Sequence, residues 1–419
     1  MKKKTIPMRA SAAAVLVLLT GAAQAQFSTD GYFRAGTGAG VKDSPTSCFG
    51  LAGDGLKYRL GNECDNYGEI NLKNTVKVGD LQFSGNLMPV YWSAAQETAN
   101  PTSLGQAFVE GKGFDILPEA NFWAGKRYYG RTDVHITDTK YTKLDGTGGG
   151  VDNIAVGGGK LGFGYFRRDK GTFAGWGTAS RVNAEFSTSK INDGGWLRIL
   201  GTVVSSEESA DKDSNALEGH SGMALTIQHA QDNLFGLGGG NNLWVQFAKG
   251  SAGLDGNFSN AYTGTGNDWV ASDASSSATW SEVHSGQNSF RVADALSFQR
   301  GNWGGQVVGH IQKDHLLGYE TTRTSIGGRV AYAFTNNFKL VSELGLSRKS
   351  PTGGDAQTLT KFTIAPTLST GRGFFERPEL RLFYTRASWN TAAGADTSNG
   401  LPSGRTSANR FGLQAEYWW

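Results

Sequence analysis

The sequence predicts an all-β fold, a transmembrane antiparallel β-barrel, from three observations. Apolar and polar residues alternate along most of the chain, as they do in strands with two different faces. Short turn-like separators alternate with long polar loops rich in glycine and serine, which is a habit of membrane barrels. Glycine accounts for 60 of the 419 residues and proline for only 9, which is unusual for a soluble globular protein.

The first 25 residues form a predicted secretory signal peptide. Residues 1–25 combine a basic start, an apolar run and the small-residue ending Ala23-Gln24-Ala25. A short membrane anchor is the alternative, but the apolar run is too short to span a bilayer. Cleavage after Ala25 leaves residues 26–419 as one predicted domain. That domain contains no apolar stretch of the roughly 20 residues that a membrane helix needs.

The alternation is clearest in five runs, at residues 27–35, 81–87, 242–247, 338–344 and 379–385. At about 10 residues per strand plus loops, the chain suffices for one barrel of roughly 16 to 20 strands. A secreted β-sandwich or β-helix is the alternative. No repeat of fixed period is visible, which counts against a β-helix.

The ending RFGLQAEYWW places two tryptophans on opposite faces of one predicted strand. Leu413, Tyr417 and Trp419 share the apolar face, while Glu416 and Trp418 share the polar face. Trp419 is therefore predicted to lie in the aromatic girdle at the membrane edge. Trp418 is predicted to face the barrel lumen.

Further aromatic residues alternate in step with polar residues and are therefore predicted to face the lumen. They are Tyr32, Tyr67, Trp244 and Phe375. A ring in a water-filled lumen loses its burial energy unless something stacks on it. A sugar can do so, because a pyranose has a flat C–H face and a rim of hydroxyls. The alternative is that these rings pack on one another or under an inward-folded loop.

Charge and cysteine content limit the possible functions. The net charge is only +3, so nothing indicates a nucleic-acid partner. Cys48 and Cys64 fit one disulfide in an oxidising compartment, and their spacing excludes a CxxC metal or redox site. Asp133, His135 and Asp138 could act as general acid and base or as metal ligands. Without a second histidine cluster or a nucleophile motif, no enzyme, metal or cofactor is predicted.

Six segments together resemble the maltoporin family. They are GYFRAGTG, KYRLGNECDNYGEINL, FWAGKRYYGRTDVHITD, VDNIAVGGGKL, ERPELRLF and LQAEYWW. The similarity covers both ends and the first third well, and residues 181–350 loosely. It implies an 18-stranded homotrimeric barrel in the outer membrane, among lipids and lipopolysaccharide, with a third loop folded inward as a constriction. It also implies diffusion of maltose, maltodextrins or related sugars along an aromatic slide flanked by a polar track.

The resemblance assigns roles to individual residues. Tyr32, Tyr67, Phe375 and Trp418 match slide positions. The polar-track positions are matched by Arg34, Arg59, Glu69, Arg131, Asp133 and Asp138. Cys48 and Cys64 match the disulfide of the first loop.

Three departures affect the slide and the track. The family carries a tryptophan in the second loop, donated by the neighbouring subunit at the pore entrance, and the second loop here has none. A phenylalanine in the middle of the family's slide aligns nearest Gly240, and Trp244 is a possible substitute for it. Gly105 stands at the position of a track arginine.

The predicted constriction also differs from the family. Lys140 and Lys143 stand where the family has a tyrosine and an acid, although a one-residue shift would return Tyr141 to the tyrosine position. Two added positive charges predict weaker cation selectivity and easier passage of sugars that carry carboxylate or phosphate. The alternative is that both lysines pair with one of three aspartates, Asp133, Asp138 or Asp145.

Two related functions compete with a sugar channel. A general or anion-tolerant porin would share the barrel but lack saturable sugar binding. A secreted adhesin or lectin would explain aromatic residues that face sugars, but not the terminal aromatic strand.

Overall fold

The computed structural model describes most of the chain beyond the predicted signal peptide. The described residues are 24–40, 48–51, 56–93, 102–168, 178–188, 190–207, 209–210, 216–217, 219, 221–252, 287–316, 319–399, 401–402 and 404–419. Residues 1–23 of the predicted signal peptide lie outside them, and the first strand begins at Gln24.

The strands of the described residues, in chain order, are β1 (Gln24–Gly40), β2 (Asn66–Val78), β3 (Leu81–Ser93), β4 (Thr102–Lys112), β5 (Asn121–Arg127), β6 (Thr132–Val134), β7 (Thr139–Thr142), β8 (Gly146–Val156), β9 (Gly159–Arg168), β10 (Ala179–Thr188), β11 (Gly195–Ser206), β12 (Ser209–Ala210), β13 (Ala216–Leu217), β14 (Ser221–Asp232), β15 (Gly240–Gly250), β16 (Asn288–Arg300), β17 (Trp303–Leu316), β18 (Tyr319–Ala333), β19 (Phe338–Pro351), β20 (Gln357–Ser369), β21 (Glu379–Trp389) and β22 (Ser407–Trp418). All except β6, β7, β12 and β13 belong to one 18-stranded sheet.

The sheet closes into an antiparallel barrel. Strand β1 pairs with β2 on one side and with β22 on the other, so that Arg34 lies opposite both Tyr67 and Glu416. Closure pairs the first strand with the last and leaves no exposed sheet edge. The prediction of a barrel of about 18 strands is confirmed.

The barrel wall is polar on its inner face and apolar on its outer face, as the alternation predicts. In β21, Arg381 and Thr385 are buried inside, while Leu380 and Leu382 are more than half exposed outside. A soluble protein would place these residues the other way round. The outer face therefore suits contact with lipid chains.

Short and long connections lie at opposite ends of the barrel. Gln24 lies opposite Lys77, close to the two-residue connection at 79–80. At the same end, Gly157 and Gly158 join β8 to β9 with φ of +53° and +82°. A two-residue hairpin with both φ values positive favours glycine. The opposite end carries the connections called here the first loop (residues 41–65), the second loop (94–101) and the third loop (128–145).

Helices are short within the described part of the chain. They are α1 (Thr391–Ala395) and the 3-10 turns Leu234–Gly236 and Thr397–Asn399. Helix α1 begins after Asn390, whose side-chain oxygen accepts the Ala393 N–H at 3.1 Å as an N-cap. None of the described helices is long and apolar enough to cross a membrane.

The third loop contains the β6–β7 hairpin, which contacts inward-facing side chains of the barrel wall. The Ile136 N–H donates to Gln306 Oε1 at 3.1 Å, and the Tyr141 carbonyl accepts from Gln246 at 2.7 Å. The Tyr141 hydroxyl lies 3.2 Å from His310 Nδ1. Strands β15 and β17 thus hold the hairpin through the polar inner face of the wall.

The first loop also reaches the inner wall, at β18 and β19. Gly327 and Gly345 lie opposite each other, and the Tyr58 ring rests on both. A Cβ atom at Gly345 would lie 2.1 Å from that ring, so the close approach requires glycine. The Tyr58 hydroxyl lies 2.8 Å from Ser325 Oγ. At the base of the loop, Cys48 and Cys64 form a disulfide with Cα atoms 5.5 Å apart.

Candidate functional site

Four aromatic rings form a row along the inner wall, called here the aromatic row: Tyr67, Tyr32, Trp418 and Phe375. The ring centres of Tyr67 and Tyr32 are 6.0 Å apart, and those of Tyr32 and Trp418 are 6.3 Å apart with planes inclined by 24°. His135 bridges the last gap, since its ring centre is 5.5 Å from Trp418 and 5.9 Å from Phe375. The Phe375 side chain is 43% exposed. The row is thus continuous and partly open.

Strand register places three of these rings side by side. Tyr32 in β1 lies opposite Trp418 in β22, and Tyr67 in β2 lies opposite Arg34, two residues along from Tyr32. Residues two apart in a strand share one face, so all three rings face the lumen. Phe375 lies in the connection between β20 and β21, where strand alternation does not apply. The lumen orientation of Tyr32, Tyr67 and Trp418 follows from alternation alone.

Arg34 links the row to the first and third loops. Its guanidinium donates to both oxygens of Asp65, at 3.1 and 3.0 Å, and to Asp138 Oδ2 at 3.2 Å. The same guanidinium lies 5.3 Å from the centre of the Tyr67 ring. Two parallel hydrogen bonds hold a guanidinium in a fixed plane. Arg34 is therefore well placed as a rigid polar neighbour of the aromatic row.

Glu416 is the central acceptor beside the row, and it is almost fully buried. It accepts the Tyr32 hydroxyl at 3.1 Å and lies 3.1 Å from Arg59. Arg377 and Arg381 approach it to 2.9 and 2.6 Å. Sequence reasoning put Glu416 on the lumen face but did not select it as a site residue. Glu416 is two residues from Trp418 and shares its strand face, and this was the sequence signal that could have identified it.

Arg377 connects this network to the aromatic row. Its guanidinium carbon lies 4.2 Å from the centre of the Trp418 ring. Such a cation over an indole face is attracted by the ring quadrupole. Arg59 also donates to the Tyr32 hydroxyl. Arginine therefore contacts both central rings of the row.

His135 lies within a cluster of positive groups. The Arg377 guanidinium is 3.0 Å from His135 Nε2, so this nitrogen acts as an acceptor. Burial lowers the pKa of His135 well below its ordinary value, and Arg59, Arg377 and Arg329 lower it further, although Glu416 opposes them. This shift in pKa favours the neutral imidazole. Asp133, His135 and Asp138 form no metal cluster in the part of the chain that the structure describes.

Of the remaining predicted polar-track residues, Glu69 lies in β2 and Arg131 near the start of the third loop. Glu69 accepts a hydrogen bond from the Tyr67 hydroxyl. Arg131 donates to Asp145 at 2.9 Å, and its guanidinium carbon lies 3.3 Å from the centre of the Tyr128 ring. Gly105 leaves no room for a side chain, because a Cβ there would lie 2.7 Å from the Tyr128 hydroxyl.

The two lysines of the third loop differ in their surroundings. Lys140 lies 3.4 Å from Asp138 Oδ1, while Lys143 has no ion pair with any described residue. Burial alone would raise the pKa of Asp138, but Arg59, Lys140 and Arg34 hold it well below its ordinary value. Asp133 is exposed. Lys143 is thus the less neutralised of the two lysines.

Trp244 differs from the expectation of a free slide ring. Its side chain is 1% exposed, and its ring stacks on Tyr141 with centres 4.6 Å apart and planes inclined by 18°. The third loop thereby covers the ring face that a sugar would need. Tyr141 is also buried. Of the two residues that could stand at the predicted constriction, Lys140 and Tyr141, only Lys140 is partly exposed.

Comparison with known proteins connects this geometry to a family. The family model described as LamB porin matches residues 27–419. The chain belongs to the LamB porin family. A LamB porin with a closed 18-stranded barrel is an outer-membrane channel, so the predicted location in the outer membrane is confirmed.

Two solved structures are similar to this chain over most of its length. Pseudomonas aeruginosa OccK5 (OpdH) is 9% identical, with a TM-score of 0.50, covering 94% of this chain and 97% of that chain. A BenF-like porin from Pseudomonas fluorescens Pf-5 is 11% identical, with a TM-score of 0.48, covering 95% and 98%. These similarities concern the fold alone.

Proposed function

We propose that this LamB porin is a channel for facilitated diffusion of sugars, such as maltose, maltodextrins or related oligosaccharides. The aromatic row is the slide along which the sugar moves. Arg34 and Arg59 with their acidic partners, together with Glu69, are the polar track that exchanges hydrogen bonds with the hydroxyls of the sugar.

The continuous row of rings is the observation that supports this proposal. Successive ring or imidazole centres are separated by 5.5 to 6.3 Å from Tyr67 to Phe375. Rings at such spacing give a sugar a new stacking partner before it leaves the previous one. Ions do not stack on aromatic rings, so a channel for small ions does not need apolar surface along its water-filled path. In a general porin, replacing these rings would leave the permeation of solutes unchanged.

The charged groups beside the row suit weak and repeated binding. They are already paired with one another, so a sugar exchanges hydrogen bonds with them without finding an unpaired charge. Conduction requires binding that is favourable enough to enter and weak enough to leave. The third loop, held against β15 and β17, is the proposed constriction.

The proposed assembly is a homotrimer surrounded by lipids and lipopolysaccharide, exported by the signal peptide at residues 1–25. Small outward-facing residues on β3, β4 and β5 favour a subunit contact on this side of the barrel. They are Gly85, Ala107 and Ala124, which border one shallow outer groove. Small residues let the backbones of membrane proteins approach closely.

Planar-bilayer conductance tests the sugar path. Maltose, maltotriose and sucrose are titrated against the ion current of the wild type and of Trp418→Ala. We expect saturable block in the wild type. Loss of the indole should weaken block by about 1 kcal/mol, the usual value of an aromatic contact, with little change in open-channel conductance.

Two results would contradict the proposal. If no sugar in the panel blocks the wild type saturably, the protein is a general or anion-tolerant porin. If block is saturable but Trp418→Ala leaves it unchanged, sugars bind away from the aromatic row. Trp244→Phe is a matched control, because it alters a ring that the third loop already covers.

A further inference from the structure

We infer that Trp92 is an additional sugar-stacking ring at the loop end of the aromatic row, provided by the subunit's own barrel wall. The inference rests on the proposed function, since it adds one ring to the proposed slide. Sequence analysis did not select this residue, although it continues the polar-face parity of Ser84 and Asn86.

Strand register places Trp92 next to the row. Trp92 is the penultimate residue of β3, and it lies directly opposite Tyr67, the ring at the loop end of the row. It has the parity of Asn86 and Met88, which are buried on the inner face of β3. Its neighbour Tyr91 therefore faces the outside of the barrel, because adjacent residues of a strand point to opposite faces.

A hydrogen bond fixes the indole on the lumen side. Trp92 Nε1 donates to Asp65 Oδ2 at 2.9 Å. The same carboxylate accepts both hydrogen bonds from Arg34, whose guanidinium lies beside the Tyr67 ring. A tryptophan of the outer girdle has no access to this lumenal carboxylate, so Trp92 belongs to the lumen.

The indole keeps a large open surface. Trp92 is 49% exposed, whereas Trp244 on the same inner wall is 1% exposed. Its only polar atom is already bonded to Asp65, so the open surface is the apolar ring. A ring of this kind beside fixed hydrogen-bonding groups suits a pyranose, whose C–H face stacks while its hydroxyls reach Asp65 and Arg34.

The position of Trp92 gives the channel a preferred side of entry. Trp92 lies at the end where β3 enters the second loop, and Tyr67, Tyr32 and Trp418 follow it toward the turn end. A sugar that arrives from the loop side meets Trp92 first. Loss of the ring should therefore slow association from that side more than from the turn side.

Single-channel recording with maltotriose on one side of the membrane at a time tests this inference. Trp92→Ala and Trp92→Leu should each lower maltotriose affinity about fivefold, the effect of one aromatic contact, mostly through slower loop-side association. Trp92→Phe should restore most of the loss. Tyr91→Ala is the matched control, because it removes an exposed ring of opposite parity.

The possible outcomes separate this inference from the proposed function. If maltotriose blocks the wild type, Trp418→Ala weakens the block and both Trp92→Ala and Trp92→Leu leave it unchanged, only the role of Trp92 is overturned. If Trp92→Phe is as weak as Trp92→Ala, the indole N–H matters and the stacking role is overturned. Absence of block in the wild type overturns the proposed function and this inference together. Gel mobility before and after heating verifies that each variant forms a barrel.

Discussion

Glu416 shows how single residues organise the lumen wall. One carboxylate accepts from Tyr32 and contacts Arg59, Arg377 and Arg381. Removing one member of a buried charged group leaves its partners uncompensated, which costs more than the pair itself contributes. The same residue therefore orients the Tyr32 hydroxyl and the arginine over Trp418. Polar groups of this network fix the position of the rings.

Sugar block should be independent of pH between about pH 7.5 and about pH 5.5, although His135 touches two slide rings. An ordinary histidine titrates near 6.5. Burial and three arginines lower the pKa of His135 well below that value, so the imidazole stays neutral throughout this window. The measurement is maltotriose block against pH. A block that changes near pH 6.5 in the wild type, and not in His135→Gln, would contradict the neutral state.

At the scale of elements, the barrel strands position two loops inside the wall. The first loop is held through Tyr58 on Gly327 and Gly345, and the third through Ile136 and Tyr141. Loops usually lie at the surface because their backbone groups need partners. Here the polar inner wall supplies those partners, so both loops can pack inside the barrel.

Gly345→Ala should displace the first loop from the wall. The added methyl would lie 2.1 Å from the Tyr58 ring, and the ring must move to make room. We expect faster tryptic cleavage after Lys57 and Arg59 and an altered single-channel conductance. Gly309→Ala is the matched control, since nothing lies within 4 Å of a Cβ at that position. Equal cleavage of the two variants would mean that Tyr58 does not secure the loop.

The lysines of the third loop should shift ion selectivity unequally. Lys140 is partly neutralised by Asp138 at 3.4 Å, whereas Lys143 has no ion pair with any residue that the structure describes. Charge on a narrow channel wall acts strongly on passing ions. Lys143→Gln should therefore move the reversal potential in a salt gradient toward cations more than Lys140→Gln does, although each variant removes one positive charge. An unchanged potential in the double variant would remove both lysines from the ion path.

The sequence predicted the orientation of side chains in the barrel wall better than the positions of the loops. Alternation placed Tyr32, Tyr67 and Trp418 because strand residues have only two possible faces. It could not show that Tyr141 covers Trp244, since the position of a loop inside a barrel leaves no periodic signal. Trp92 was missed because the alternation was followed only to residue 87, although Trp92 continues the parity of Ser84 and Asn86; its register opposite Tyr67 then places it beside the row.

At the scale of the whole molecule, the outer surface is divided between lipid-facing and proposed subunit-facing sides. Large apolar residues such as Val182 and Val203 are about half exposed on β10 and β11. On β3, β4 and β5, the small residues Gly85, Ala107 and Ala124 border one shallow outer groove, beside larger residues such as Leu87 and Val109. This groove is the basis for placing the proposed trimer contact there.

Ala124→Trp should disrupt the trimer while leaving the barrel intact. A large ring in this groove keeps neighbouring backbones apart, whereas Val182→Trp adds the same ring on β10, outside the proposed contact, as a control. Unboiled gel electrophoresis and detergent sedimentation report the oligomeric state, and the mobility change on boiling reports the folded barrel. Trimers of normal stability in Ala124→Trp would place the contact on another face.

The pairing of Tyr32 with Trp418 connects the proposed sugar path to completion of the barrel. These two rings come from strands at opposite ends of the sequence, and they become neighbours only when β22 joins β1. The network around Glu416 likewise includes Arg59 from the start of the chain and Arg377 from near its end. A partly inserted barrel therefore lacks the complete aromatic row on which the proposed function depends. Closure of the barrel and completion of the proposed sugar path are one step.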